Sequence, residues 1–80
     1  MNHDGIGNEN IDNQAILIQE KIETLRVEHR ALDEKAAEIE KHLSLTPQEQ
    51  QELTRIKKRK LQLKDEIARH EHMLAQLKKM

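Results

Sequence analysis

Apolar residues recur along the first half of the chain at alternating steps of four and three positions, from Ile11 to Leu43. This spacing keeps one stripe of a helix apolar and is the heptad pattern of a coiled-coil seam. His29 is the one polar member of the stripe. The stripe consists of Ile11, Ala15, Ile18, Ile22, Leu25, His29, Leu32, Ala36, Ile39 and Leu43. The pattern predicts one long amphipathic helix over about residues 12–44.

A second stripe with the same spacing lies in the second half of the chain, where Lys60 and His70 are its polar interruptions. Its members are Leu53, Ile56, Lys60, Leu63, Ile67, His70, Leu74 and Leu77. The same heptad argument therefore predicts a second long helix, over about residues 47–79.

The sequence between the two stripes contains a strong helix-start signal. Thr46 can cap a helix, Pro47 suits the first helical position, and Glu49 completes a capping box. Proline also disfavours helical geometry at the residue before it, which forces a break at Thr46. We therefore predict a turn at residues 44–46, with Leu45 packing back onto the first helix.

A turn this short makes the two helices antiparallel neighbours. Folding the chain at the turn aligns the two stripes in eight layers, and no two polar seam residues face each other. The layers pair Ile39 with Leu53, Ala36 with Ile56, Leu32 with Lys60, His29 with Leu63, Leu25 with Ile67, Ile22 with His70, Ile18 with Leu74, and Ala15 with Leu77. The predicted fold is all-α: an antiparallel two-helix coiled-coil hairpin.

Residues 1–10 differ in composition from the rest of the chain. Gly5 and Gly7 lie among Asn and Asp, and Ile6 is the one strongly apolar residue after Met1. Such a segment has little to bury, so we predict a flexible N-terminal tail over residues 1–10 and the hairpin over residues 11–80.

The composition bears on whether one hairpin is stable alone. The aromatic content is 0%, so the core lacks the side chains that bury the largest areas. Five apolar residues also lie off the seam: Ile16, Leu17, Val27, Leu61 and Met73. They are either scattered surface residues, which are normal, or a second face that closes two hairpins into a four-helix bundle. Because a single seam looks insufficient, we favour a homo-oligomer, specifically a dimer.

Composition also limits the class of protein. There is no cysteine, which excludes disulfides and thiolate chemistry. No stretch approaches the roughly 18 apolar residues of a membrane span, and the first residues do not resemble a secretory signal. These features predict a cytoplasmic protein without membrane contact.

Two segments resemble the YdcH-like family, small bacterial proteins classed as a domain of unknown function. His29, Leu32 and Asp33 match its H-x-x-L-D pattern. Residues 56–67 match L-K-K-x-K-L-x-L-K-D-E-I, with Ile56 as a conservative departure. The resemblance covers about residues 20–70. It implies a bacterial helical hairpin with no known activity and no catalytic residues to transfer.

The most conspicuous chemical feature is a basic cluster in the second helix. Its members are Lys57, Lys58, Arg59, Lys60 and Lys64. The cluster is either an ordinary solvated face or a contact for phosphates or an acidic protein surface. Nucleic acid is disfavoured because no aromatic residue can stack on a base. We therefore expect an unidentified protein partner if the cluster binds anything.

The histidines do not form a recognisable metal site. Their positions are His3, His29, His42, His70 and His72. His70 and His72 are two residues apart and diverge around a helix, and two ligands such as Glu38 and His42 do not close a site. Charging the seam residues His29 and His70 is expected to weaken the hairpin below about pH 6, because it desolvates a cation.

The sequence also lacks a catalytic constellation. Ser44 is the one serine, it lies in the turn, and no dry cleft is expected between two helices packed along their length. We predict no enzyme activity, cofactor, metal or small-molecule substrate. The leading interpretation is a non-enzymatic coiled-coil interaction or scaffold module. The alternative is a weak nucleic-acid-binding protein that uses the basic cluster.

Overall fold

The computed structural model describes the backbone of residues 3–79 and the side chains of residues 12–79. Within that part of the chain, α1 runs over His3–Glu40 (38 residues) and α2 over Pro47–Lys79 (33 residues). The two helices form a hairpin with principal extents of 67 × 15 × 14 Å. The predicted all-α hairpin is confirmed. Neither helix, over the described residues, has an apolar stretch long enough to cross a membrane.

Ion pairs between the helices establish that α1 and α2 are antiparallel. Near the turn, Lys35 Nζ lies 2.7 Å from Glu52 Oε1. Farther from the turn, Arg26 Nη2 donates a hydrogen bond of 2.6 Å to Glu71 Oε2. As the residue number falls along α1, the number of its partner on α2 rises.

The core is the predicted seam. The buried apolar residues are Ile22, Leu25, Ala36, Ile39, Leu53, Ile56 and Leu63, and every one belongs to the two stripes. Nearest the turn, Ala36, Ile39, Leu53 and Ile56 form one cluster, which matches the two predicted layers at that end. The heptad spacing therefore identified the buried face of both helices.

Helix α1 ends at Glu40 rather than at residue 44, so the turn is longer than predicted. The amide of His42 donates to the Ile39 carbonyl at 3.1 Å, a tight closing turn typical of helix ends. Leu43, expected in the seam, is fully exposed as a result. Leu45 packs against the core cluster, as predicted, and closes the seam in its place.

The predicted capping box defines the start of α2 at Pro47. The Glu49 amide donates to Thr46 Oγ1 at 3.1 Å, and the Thr46 amide donates to Glu49 Oε1 at 2.9 Å. The two side chains thus satisfy two backbone donors that the first turn of a helix leaves unpaired. His42 Nδ1 lies 2.5 Å from Glu49 Oε2 and ties the turn to the same carboxylate.

The N-terminal boundary differs from the prediction. Helix α1 begins at His3, so residues 3–10 of the predicted tail have helical backbone, while Met1 and Asn2 lie outside the described residues. No proline precedes Pro47, and a helix forms its backbone hydrogen bonds within itself. Gly5 and Gly7 lower the helix propensity by about 1 kcal/mol each without forbidding helical geometry.

Candidate functional site

The structure divides the basic cluster of α2 according to its partners on α1. Arg59 forms a two-pronged hydrogen bond with Glu28, at 2.7 Å from Nε to Oε2 and 3.1 Å from Nη2 to Oε1. This hydrogen bonding lowers the pKa of the Glu28 carboxyl, and the same interaction raises the pKa of Arg59. Arg59 therefore links the two helices and is less free for an external partner.

Lys60 is also used within the hairpin. Its ammonium pairs with the Asp33 carboxylate of α1, and its side chain is 28% exposed. The hydrogen bond from Lys60 lowers the pKa of Asp33. The predicted register also brings Asp33 within reach of Lys64 and Glu40 within reach of Lys57. The ion pair of Asp33 forms with Lys60, while the nearby charge of Lys64 also lowers the pKa of Asp33. Glu40 forms no ion pair with Lys57 in the described part of the chain.

The remaining three members of the cluster are exposed: Lys57, Lys58 and Lys64. Among residues 12–79, none of them forms an ion pair. Lys57 and Lys64 line a shallow groove of about 280 Å³ together with Lys60 and Leu61. Lys58 does not line this groove. The five basic residues of the cluster therefore differ in their surroundings. Arg59 and Lys60 link the two helices, Lys57 and Lys64 line the groove together with Lys60, and Lys58 lies outside both groups.

A second shallow groove, of about 240 Å³, adjoins the first and shares Lys64 with it. It is lined by Arg26, His29, Arg30, Lys64 and Ile67. We call the two grooves together the basic flank. The α1 residues Arg26 and Arg30 were not assigned to a binding surface from the sequence. The signal for them was their position beside the seam, where α1 borders α2.

On another part of the hairpin, at the end far from the turn, the helices leave an apolar groove of about 530 Å³. It is lined by Gln14, Leu17, Ile18, His72, Met73, Gln76 and Leu77. We call it the open-end groove. Of the five predicted self-association residues, Leu17 and Met73 line this groove, and Leu61 lines the basic flank. Ile16 and Val27 are exposed outside the described grooves.

The seam histidines have different environments. His29 Nδ1 lies 3.3 Å from Asp33 Oδ2, whereas its Nε2 is buried with no hydrogen-bond partner among the described residues. His70 Nδ1 lies 2.7 Å from the Glu66 carbonyl oxygen, to which it donates. No group of three or more His, Asp or Glu side chains in that part of the chain is arranged to hold a metal ion.

Three carboxylates tie the stability of the hairpin to pH. Hydrogen bonds from Arg59 and Lys60 lower the pKa of Glu28 and Asp33, and the Thr46 amide lowers that of Glu49. Each carboxylate binds protons more weakly in the folded state than in the unfolded state. Its contribution is therefore complete above the ordinary values of 4.5 for Glu and 3.8 for Asp. It is lost as the pH falls through the lower folded value.

We therefore expect the urea midpoint of unfolding to fall as the pH is lowered from about 6 to about 3, because these carboxylates become protonated as the pH drops below their ordinary pKa values. Glu49→Gln, which keeps a capping-box side chain, should lose less stability over this range than the wild type. Glu34→Gln, at an exposed position without an ion pair among the described residues, is the matched control. Identical midpoints at the two pH values would contradict the prediction.

These features define a two-helix hairpin whose helices are joined by a seam and by interhelical ion pairs, with an apolar groove and a basic flank left open. Residues 22–71 match a family described as "Protein of unknown function (DUF465)", and the chain belongs to this family. The match includes the turn and both motifs of the YdcH-like resemblance, which is confirmed. Comparisons with curated proteins and with solved structures give no significant match.

Proposed function

We propose that the hairpin is a non-enzymatic interaction module that works as a homodimer, with two copies joined through their open-end grooves. The observation that carries the proposal is the apolar groove itself. Leu17 and Met73, on different helices, are exposed and border the same groove of about 530 Å³. A side chain of this size gains about 1.5–3 kcal/mol when it is fully buried.

The seam is incomplete where the groove lies. Near the turn the seam residues are buried, whereas Ala15, Ile18, Leu74 and Leu77 at the open end are only half-buried. A core of this size rarely supplies more than about 3–5 kcal/mol. A second hairpin packed on the groove completes the burial of this end, as in a four-helix bundle.

The charge around the groove favours a second copy as its occupant. Its lining contains glutamine, histidine and apolar residues, and no Lys, Arg, Asp or Glu. In a two-fold contact each residue near the axis meets its own copy, so a charged lining would repel itself. The uncharged lining of the open-end groove avoids this repulsion, and Gln14 and Gln76 contribute hydrogen-bonding groups to that lining.

Sedimentation equilibrium tests the proposal directly. We expect the wild type to have a mass near twice 9.4 kDa. Leu17→Glu places a charge in the groove and should return the mass to that of one chain. Val27→Glu is the matched control, because Val27 is 49% exposed and lies outside the groove. It should leave the dimer intact.

Two results would contradict the dimer. One is a wild type that stays monomeric up to about 1 mM, a concentration at which even weak complexes form. The other is a Leu17→Glu variant that keeps the wild-type mass, which would place any interface elsewhere on the hairpin. Circular dichroism of each variant checks that the helices are retained.

A further inference from the structure

We infer that the basic flank docks an acidic amphipathic helix of another protein. The inference rests on the proposed function only in treating the hairpin as an interaction module, since it uses a different surface from the dimer. The basic flank lies along the middle of the hairpin, and the open-end groove lies at its end. Both surfaces can therefore be tested separately.

The charge of the flank favours an acidic partner. The two grooves of the flank are lined by Arg26, Arg30, Lys57, Lys60 and Lys64, and by no carboxylate. Nearby acids already have partners within the hairpin: Glu71 with Arg26, Glu23 with Arg30, and Asp33 with Lys60. Lys57 and Lys64 are left without a described ion pair and border the same groove. They are the cations that an incoming carboxylate can neutralise.

Apolar surface beside these cations favours an amphipathic partner. Leu61 is 64% exposed in the first groove, and Ile67 is half-buried in the second. Leu61 and Ile67 are six positions apart, so at about 100° per residue they point about 120° apart, with Ile67 turned toward the seam. Leu61 instead shares one face with Lys57 and Lys64, which are four positions before it and three positions after it. A partner helix on this face can therefore place an apolar residue against Leu61 and carboxylates against the two lysines.

This combination favours a helix over the other occupants. A helix that lies in a groove uses a few apolar anchors and flanking charges, which the flank matches with Leu61, Lys57 and Lys64. Phosphate backbones gain nothing from an exposed leucine, and the chain has no aromatic residue on which a base can stack. A second copy of the hairpin in a two-fold contact at this flank would bring like charges together.

The test uses a designed helical peptide of about three heptads. One leucine in each helical turn forms an apolar stripe, and glutamates flank this stripe on both sides. Its control has the same composition with the leucines out of register. We measure binding to the full chain by isothermal titration calorimetry at low salt. We expect saturable binding of the designed peptide, and binding at least about tenfold weaker for the control, a difference of 1.4 kcal/mol.

Two variants of the chain locate the site. Lys57→Glu combined with Lys64→Glu should weaken binding about tenfold or more, because close charge pairs are replaced by like charges. Lys58 also has no described ion pair, but it lies outside the groove. Lys58→Glu should therefore change the free energy of binding by less than half as much as the double variant does. Leu61→Ser should also weaken binding, whereas a purely electrostatic attraction would not depend on Leu61.

Several outcomes would overturn the inference. They are no saturable binding, equal binding of the two peptides, or equal losses for Lys58→Glu and the double variant. A single-stranded RNA oligonucleotide that binds in the same assay and depends on Lys57 and Lys64, while the peptide does not, would identify nucleic acid as the ligand.

The mass of each variant separates this inference from the dimer. Peptide binding that fails while the wild type remains dimeric overturns only the docking site. Peptide binding that persists in a monomeric wild type overturns only the proposed dimer and leaves the docking site supported.

Discussion

Replacement of Leu63 by alanine is expected to unfold most of the hairpin at room temperature. Leu63 has 0% exposure and lies near the middle of the seam in α2. Truncation of a buried leucine to alanine costs about 2–5 kcal/mol, because transfer energy is lost and a cavity remains. A core of this size rarely supplies more than about 3–5 kcal/mol, so the loss is comparable to the whole stability.

Leu61→Ala is the matched control, because it makes the same chemical change two residues earlier in the same helix. Leu61 is 64% exposed, and a surface substitution of this kind usually changes stability by about 0.5 kcal/mol or less. Urea unfolding followed by circular dichroism measures both variants, at one protein concentration because association shifts the apparent stability. Similar losses in the two variants would show that the seam does not hold the hairpin together.

The identification of Leu63 as a core residue required only the sequence. Its position follows from the heptad spacing, because the angle between successive residues of a helix fixes which side chains share a face. The capping box at Thr46 and Glu49 was equally local, and it located the start of α2. Features determined by neighbours in the sequence were therefore predictable without the structure.

The end of α1 was not predictable in the same way. The stripe continues through Leu43, and nothing in the local pattern distinguishes it from Ile39. Which leucine closes the seam depends on how the chain reverses between the helices, and the structure uses Leu45.

The candidate binding surfaces were predicted in part. The sequence placed Lys57 and Lys64 in a basic cluster, but it grouped them with Arg59, which Glu28 holds from the other helix. Long charged side chains can reach several neighbours, so the spacing of the heptads does not decide between Lys60 and Lys64 as the partner of Asp33. The grooves combine residues of both helices, and their shape follows only from the packed structure.

Among the described seam residues, His29 is the one whose replacement by an apolar residue we expect to raise stability. Its Nε2 is buried without a hydrogen-bond partner among the described residues, and a buried polar atom left in this state costs about 1–3 kcal/mol. The other ring nitrogen lies 3.3 Å from Asp33, whose carboxylate also pairs with Lys60. Removal of the ring therefore leaves Asp33 with a partner.

We therefore expect His29→Leu to stabilise the hairpin by about 1–3 kcal/mol at neutral pH, since the predicted register places position 29 opposite Leu63 and leucine suits an apolar seam. His70→Leu is the comparison, because it removes the hydrogen bond of 2.7 Å to the Glu66 carbonyl oxygen and should gain less. The urea midpoints of unfolding of the two variants and the wild type measure these differences in stability. A destabilised His29→Leu variant, or an equal gain in stability from His70→Leu, would mean that the unpaired Nε2 atom of His29 does not lower the stability of the hairpin. A gain confined to position 29 would show that the histidine is kept at a cost in stability. This histidine lines the basic flank, which we propose as a docking site.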